Sequence, residues 1–201
     1  MELRNAGFVH SHPVGNLLHG HLISVIEVED SALALPQSAP ADSNWTLSES
    51  TLTYHVTHPF HSPEGVSHAA TGKGSCHAGQ CDFEISAPVK SFDSGNNYRD
   101  HHMLRVTKGE EFPSIIVRVH VPESAISSST ILADLQIQFA GQSAEYRQVS
   151  FQRISQNGDS VITGTIPATC SDFKITPPSV VGIAIKNEIP IGVEMKWHPQ
   201  Q

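Results

Sequence analysis

Residues 91–119 read SFDSGNNYRDHHMLRVTKGEEFPSIIVRV, and no other segment of the chain narrows its fold as far. A turn of Asp, Ser, Gly and Asn begins at Asp93, and the polar segment that follows it has a helical period. Phe112 and Pro113 then precede a new apolar strand. The segment therefore predicts one short helical insertion, at about residues 96–106, between two β-strands.

Most of the remaining chain alternates apolar and polar residues, as half-buried antiparallel strands do. Residues 131–139 show this period clearly, and Asn157-Gly158 is a strong hairpin turn because both residues tolerate positive φ. About eight short strands separated by turns indicate a sandwich or a barrel. A long meander favours a closed antiparallel barrel, which has no exposed strand edges. We therefore predict an all-β fold, an eight-stranded antiparallel barrel with room for one slender ligand.

Composition excludes several classes of partner. The chain has 201 residues, a formal net charge of −8 and only 12 lysines and arginines, which are scattered. Sequence-independent binding of nucleic acid needs clustered basic residues, so no nucleic-acid partner is expected. Anionic membrane surfaces are disfavoured for the same reason. No apolar run reaches the roughly 18 residues that span a bilayer, so the chain is not expected to be membrane-spanning.

Residues 1–41 differ from the body of the chain, and we assign the barrel domain to residues 42–199. Residues 22–26 are apolar, but Glu27 interrupts them before an export signal of normal length is complete. Residues 32–34, Ala-Leu-Ala, have the small-x-small form of a signal-peptidase site. Two interpretations stay open: a disordered tail, or a degraded or misread export signal followed by a linker.

The cysteines form one close pair and one single residue. Cys76 and Cys81 flank a four-residue loop, which places them opposite each other across a hairpin and within bridging range. An exported protein would form a disulfide here. The alternatives are two thiols, or a metal-binding pair with His77. Cys170 is the odd thiol and is expected to be buried.

The sequence offers no catalytic constellation, so we expect a protein that is not an enzyme. The serines lack a nucleophile elbow, and no glycine-rich loop precedes a helix to hold phosphate. Histidines crowd the first predicted hairpin, and histidine is a common metal ligand. A metal site of His55, His58 and His61 is therefore an alternative function, although histidines at the surface are the simpler interpretation.

Several motifs, in this order, resemble those of the YceI-like family, whose members are mostly periplasmic, lipocalin-like and polyisoprenoid-binding. LTYHVTH at 52–58 is similar to the family's Val-x-Phe-x-Val-x-His strand. Asp-Ser-Gly-Asn at 93–96 and RDHHML at 99–104 resemble its central turn and helix. FPSIIV at 112–117 resembles its Tyr-Pro-x-Ile-x-Phe strand. Segments near the end of the chain resemble its last loop and hairpin, so the resemblance covers most of residues 45–196.

This resemblance implies a non-enzymatic protein that holds a polyisoprenoid, of the quinone or polyprenyl phosphate type, in an apolar barrel tunnel for carriage, storage or sensing. It also implies a periplasmic or other extracytoplasmic location and favours the export interpretation of the N-terminus. No other cofactor is expected. Ordinary core packing explains each apolar strand residue equally well. The residues expected to line the tunnel are Leu52, Tyr54, Val56, Phe92, Phe112, Ile115, Leu135 and Ile137.

Two polar residues of the helical insertion are candidates for a head-group site at the tunnel mouth. Arg99 and His102 lie three residues apart, hence on one helix face, and arginine forms forked contacts to phosphate. The alternative is structural: an ion pair of Arg99 with an aspartate, or a helix cap centred on Asp93 or Asn96. The family's Thr-x-His-Gly-Val-Thr-Lys hairpin is replaced by residues 138–143, which predicts a reshaped rim. The sequence leaves the identity of the lipid and a homodimer open.

Overall fold

A computed structural model describes residues 43–60, 62–180 and 182–200. The predicted tail or export signal at residues 1–41 lies outside these ranges, and so does His61. The elements of the described residues are eleven strands, one α-helix and three short 3-10 helices. The strands are β1 (Ser43–His55), β2 (Glu64–Ser67), β3 (Thr71–His77), β4 (Gln80–Pro88), β5 (Ser114–Pro122), β6 (Thr130–Phe139), β7 (Gln142–Gln156), β8 (Asp159–Ile166), β9 (Ser179–Val180), β10 (Ile183–Ala184) and β11 (Ile191–Gln200). The α-helix is α1 (Asn97–Val106), and the 3-10 helices are Val89–Ser91, Glu123–Ser127 and Ser171–Phe173.

Eight of these strands close into an antiparallel barrel in the order β1-β3-β4-β5-β6-β7-β8-β11. The barrel closes where β1 pairs with β11, from Asn44 opposite Gln200 to Tyr54 opposite Ile191. The short strand β2 pairs with the last residues of β1, beyond the part that pairs with β3. The prediction of an eight-stranded antiparallel barrel is therefore confirmed, and closure removes the strand edges that an open sheet would expose.

The barrel has two different ends. The turns between β3 and β4 and between β7 and β8 lie at one end, which we call the hairpin end. The other end, the helix end, carries α1, because β4 leads into the helix and β5 returns from it. Asn157 and Gly158 turn the β7–β8 hairpin with φ of 54° and 89°, as the sequence predicted.

The helical insertion is confirmed with a small shift at its start. α1 begins at Asn97, and the side chain of Asn96 caps it by accepting a hydrogen bond from the backbone N–H of Arg99, at 3.1 Å. The backbone leaves the strand before the turn begins: β4 ends at Pro88, and Val89–Ser91 forms a 3-10 helix.

A bulge in β7 decides which of its side chains point into the barrel. The register between β6 and β7 shifts at Asp134, and Gln148 has a positive φ of 55°. The Asp134 carboxylate accepts a hydrogen bond from the backbone N–H of Gln148 at 2.9 Å, which lowers the pKa of that carboxyl. Beyond the bulge, Val149 and Phe151 are buried on the inner face.

Two glycines of β3 make room for large rings at the hairpin end. A Cβ atom on Gly74 would collide with the ring of Phe83, and one on Gly72 would lie 2.8 Å from the ring of Trp197. The rings of Phe83 and Trp197 meet edge to face, with centroids 5.0 Å apart. The absence of a side chain at Gly72 and Gly74 thus allows both rings to fill this end of the barrel.

The β3–β4 hairpin is closed by a disulfide between Cys76 and Cys81, which decides between the three alternatives left open by the sequence. Both residues are fully buried and lie directly opposite each other in the register. Ala78 and Gly79 make the turn with φ of 51° and 83°.

We expect replacement of both Cys76 and Cys81 by Ala to lower the free energy of unfolding by roughly 2 kcal/mol, because the bridge closes only a short loop. Urea denaturation of the oxidised protein and of the double variant measures the difference. The same experiment on reduced wild-type protein is the control and should give a similar loss. Equal midpoints for oxidised and reduced protein would show that the bridge contributes nothing to stability.

Candidate functional site

The inside of the barrel contains a cavity of about 620 Å³, within the range of small-molecule sites. Inward side chains of every barrel strand except β3 line it, together with α1 and parts of the loops that follow β1 and β8. On β8 the lining runs from Ser160 to Ile166, seven residues that span about 20 Å of strand. The cavity therefore extends from the hairpin end to the helix end.

The walls of the cavity are largely aliphatic, with aromatic rings near both ends. Tyr54 and Phe92 lie at the helix end, with ring centroids 5.8 Å apart, and Phe83 and Trp197 lie at the hairpin end. Such a surface favours an elongated apolar guest over a polar one, because it offers few hydrogen-bond partners. The aliphatic middle of the wall is formed by Ile85, Val117, Leu135, Ile162, Val193 and Met195.

Seven of the eight residues predicted to line a tunnel do line this cavity: Leu52, Tyr54, Val56, Phe92, Ile115, Leu135 and Ile137. Their role in binding a lipid stays a prediction. Phe112 is not a lining residue, and this part of the expectation is wrong. The reason is that β5 starts only at Ser114, so Phe112 lies before the barrel wall and its ring packs over Gly141 in the β6–β7 turn.

Arg99 and His102 both lie at the helix end and line the cavity, but neighbouring groups already hold them. Nη2 of Arg99 donates to the backbone oxygen of Ser94 at 2.6 Å, and Nε donates to the Ser94 hydroxyl at 3.2 Å. Nη2 of Arg105 donates to Nδ1 of His102 at 2.6 Å. Asp100 accepts hydrogen bonds from the N–H and the hydroxyl of Ser94. The contacts of Arg99 and Asp100 hold α1 against the preceding turn, so these residues have a structural role. A role of Arg99 and His102 in binding a head group stays a hypothesis.

The loop after β8 closes part of the helix end, and one carboxylate holds it in place. The Asp172 carboxylate accepts hydrogen bonds from the Tyr146 hydroxyl at 2.7 Å and from the Thr169 N–H at 2.9 Å. Burial raises the pKa of Asp172, but the hydrogen bonds from Tyr146 and Thr169 outweigh it, and the net pKa is lowered. Burial and the bond to Asp172 raise the pKa of Tyr146. This loop contributes Thr169, Cys170 and Phe173 to the cavity wall.

Asp172→Asn should destabilise the protein by about 1 kcal/mol or less at pH 7 and should leave acid stability nearly unchanged. The folded pKa of Asp172 lies below its unfolded pKa of about 3.9, so the carboxylate stabilises the fold above that pH. This contribution is lost as the pH falls through the folded pKa. Urea denaturation at pH 7, 5 and 3 should show that the difference in free energy of unfolding between variant and wild type decreases as the pH falls. A difference in free energy of unfolding that stays constant with pH would mean that ionisation of Asp172 does not contribute to stability.

Cys170 is a buried thiol in the cavity wall, as expected for the odd cysteine, and burial raises its pKa. A raised pKa keeps the thiol protonated and weakly reactive at neutral pH. The residue therefore acts as a small apolar part of the wall.

The histidines of the alternative metal site do not come together among the described residues. His55 is exposed and lies 3.3 Å from Glu64, whereas His58 is buried and lines the cavity near the ring of Phe60. His61 lies outside the described ranges. Within residues 43–60, 62–180 and 182–200, no group of three or more His, Cys, Asp or Glu side chains is placed to hold a metal ion.

Sequence analysis missed one charged residue of the cavity wall, Arg153. It follows Val149 and Phe151 on β7 with the same alternation, so the strand period indicates an inward side chain. Its partner in the wall, Ser160, starts the inward set of β8 and is only 4% exposed. The period was a usable signal, but a charged residue in an otherwise apolar inner face is easily taken for a surface residue.

The sequence matches no protein-family model and no curated protein sequence. No helix in the described part of the chain has the length and apolarity needed to cross a membrane. Solved structures do match. A polyisoprenoid-binding domain from Saccharophagus degradans, implicated in plant cell wall breakdown, aligns with a TM-score of 0.63 at 12% identity and covers 78% of this chain and 98% of its own.

Burkholderia cenocepacia BcnA aligns with a TM-score of 0.63 at 14% identity, over 73% of this chain and 95% of its own. A Campylobacter jejuni YceI protein aligns less well, with a TM-score of 0.47 at 12% identity over 60% and 72% of the two chains. At such identities the first two matches establish a shared fold. The chain therefore shares the fold of these two proteins, a closed eight-stranded antiparallel barrel.

Proposed function

We propose that this protein is a non-enzymatic lipid-binding protein that holds a polyisoprenoid chain, of the quinone or polyprenyl phosphate type, inside its barrel. Carriage, storage or sensing of that lipid are the roles such binding serves. The observation that carries the proposal is the elongated cavity of about 620 Å³ with predominantly aliphatic and aromatic walls.

The energetics of apolar burial support this guest. Transfer of each methylene-sized group from water into an apolar site contributes roughly 0.8 kcal/mol, so several isoprene units bind without a strong polar contact. A branched isoprenoid chain also makes many dispersion contacts with walls of Ile, Leu, Val and Met side chains. The fold match to a domain described as polyisoprenoid-binding points to the same class of ligand.

An extracytoplasmic location is part of the proposal. The buried Cys76–Cys81 disulfide supports it, because structural disulfides persist in oxidising compartments and are rare in reducing cytosol. Fractionation of the native host, followed by detection of the protein in each fraction, tests the location. Exclusive recovery with cytosolic markers would contradict it.

Intrinsic fluorescence provides a direct test of lipid binding. The chain has two tryptophans, Trp45 and Trp197, and both line the cavity. An isoprenoid quinone that enters the barrel should quench both, so titration with a short-chain isoprenoid quinone should give saturable quenching at one quinone per protein. The quinone ring without its isoprenoid tail is the control and should quench only by collision. Linear quenching by both compounds, without saturation, would contradict the proposal.

A further inference from the structure

Arg153 places a positive charge inside the barrel at the hairpin end. The β7 bulge turns its side chain to the inner face, where it lines the cavity together with Phe151 and is partly buried. Its backbone N–H donates to the oxygen of Ser129 at 2.8 Å, which fixes the strand beside the segment that connects β5 and β6. The guanidinium is therefore held at the end of the cavity opposite α1.

The guanidinium of Arg153 uses only Nε in a hydrogen bond to the described part of the protein, so Nη1 and Nη2 can donate to a ligand. Nε donates to the Ser160 hydroxyl at 3.0 Å, and this hydroxyl is buried in the barrel wall. Among the described residues, no carboxylate forms an ion pair with Arg153, and Nη1 and Nη2 have no hydrogen-bond acceptor. The nearest acidic residue on β8, Asp159, instead contacts His198 at 2.7 Å and Lys196 at 3.6 Å.

The Arg153 guanidinium is only partly buried, so water can solvate it in the empty cavity, but an apolar guest that displaces this water leaves the charge without compensation. Arginine does not lose its proton at physiological pH, so the site cannot avoid the charge by becoming neutral. An apolar wall compensates an ionised group poorly, whereas a hydrogen-bonded anion compensates it well. The guanidinium fork matches the two oxygens of a carboxylate or phosphate, which can each accept one N–H.

We infer that the cavity accepts amphiphiles with an anionic end, a carboxylate or a phosphate, and holds that end against Nη1 and Nη2 of Arg153 at the hairpin end. This inference rests on the proposed lipid-binding function and specifies its ligand class. The apolar chain then runs along Phe151 and Ile162 toward α1, and its far end lies near Tyr54 and Phe92. This orientation is opposite to one in which Arg99 and His102 hold the head group at the helix end.

Three probes with the same hydrocarbon chain separate charge recognition from chain recognition: geranylgeraniol, geranylgeranoic acid and geranylgeranyl phosphate. Native mass spectrometry, or displacement of a bound isoprenoid quinone with recovery of the tryptophan fluorescence, gives their Kd values for the wild-type protein at pH 7.4 in moderate salt. The acid, the phosphate or both should bind roughly 10- to 100-fold more tightly than the alcohol, the range expected for hydrogen bonds to a charged group. Whichever of the two anions shows the preference identifies the source of the charge.

Matched variants then locate the preference. Arg153→Gln should bring the Kd ratio of alcohol to anion close to one while the alcohol binds as before, and Arg153→Lys should retain part of it. Arg118→Gln, at an exposed arginine of β5 that pairs with Glu84, is the control and should keep the wild-type ratio, and Arg99→Gln tests the opposite orientation of the ligand.

The possible failures are distinguishable. Equal binding of alcohol and anions by wild-type protein overturns the inference and leaves the lipid-binding function intact. A preference that is lost in Arg99→Gln and kept in Arg153→Gln overturns it in favour of a head group at the helix end. Failure of all three probes to bind contradicts the proposed function and the inference together.

Discussion

Ala133→Trp should weaken binding of an isoprenoid chain by roughly 50-fold. Ala133 is buried, lines the cavity and leaves space in front of β6 that a long apolar guest can occupy. An indole at this position excludes about three methylene-sized groups of the guest, which removes about 2.4 kcal/mol of apolar burial. Titration of the variant with the same isoprenoid quinone measures the loss as a change in Kd.

The neighbouring residue on the same strand is a matched control. Leu132 points to the outside of the barrel and is 49% exposed, so Leu132→Trp adds the same ring without entering the cavity. Its Kd should equal that of the wild-type protein. If Ala133→Trp binds as tightly as Leu132→Trp while both retain the native circular dichroism spectrum, the ligand does not occupy the barrel.

Trp197→Ala should lower the free energy of unfolding by about 3–5 kcal/mol, the largest stability effect that we expect of a single substitution. Trp197 lies on β11, the strand that closes the barrel against β1, and it is buried. Its ring contacts Phe83 and covers Gly72 on β3, so it joins three strands at the hairpin end. Its truncation therefore leaves a space between these strands where the ring lay.

Glu194→Ala is the comparison for this variant. Glu194 lies three residues earlier on β11 and is exposed, so its replacement should change stability by no more than about 0.5 kcal/mol. Urea denaturation of both variants at pH 7 gives the two values. A loss below about 1 kcal/mol for Trp197→Ala would mean that the hairpin end is not closed by this ring packing.

The barrel itself was predictable from the sequence because the signals for its strands and turns are local and recur along the chain. Each strand carries its own alternation, and hairpin signals such as Asn157-Gly158 give the antiparallel neighbour directly. The helix at 96–106 was predictable for the same reason, since the Asn96 cap and the polar helical period lie within a few residues of each other. The short separation of Cys76 and Cys81 also indicated a disulfide, but it left two thiols or a metal-binding pair with His77 open until the structure decided between them.

The cavity was less predictable because it depends on register and on residues that are distant in sequence. The bulge at Gln148 is set by a hydrogen bond to Asp134 on another strand, and it determines which β7 side chains face inward. Phe112 was assigned to the tunnel because it precedes an apolar strand, but the strand starts two residues later. Arg153 was missed because its polarity suggested the surface, although its alternation with Phe151 indicated the interior.

Native mass spectrometry of the protein purified from its own host, followed by extraction and identification of any bound lipid, is the decisive measurement. We expect one isoprenoid lipid per barrel, and an anionic terminus on that lipid would agree with the position of Arg153. Repeated recovery of protein without lipid, with the cavity of about 620 Å³ filled by side chains in an experimental structure, would show that the barrel is not a lipid-binding site.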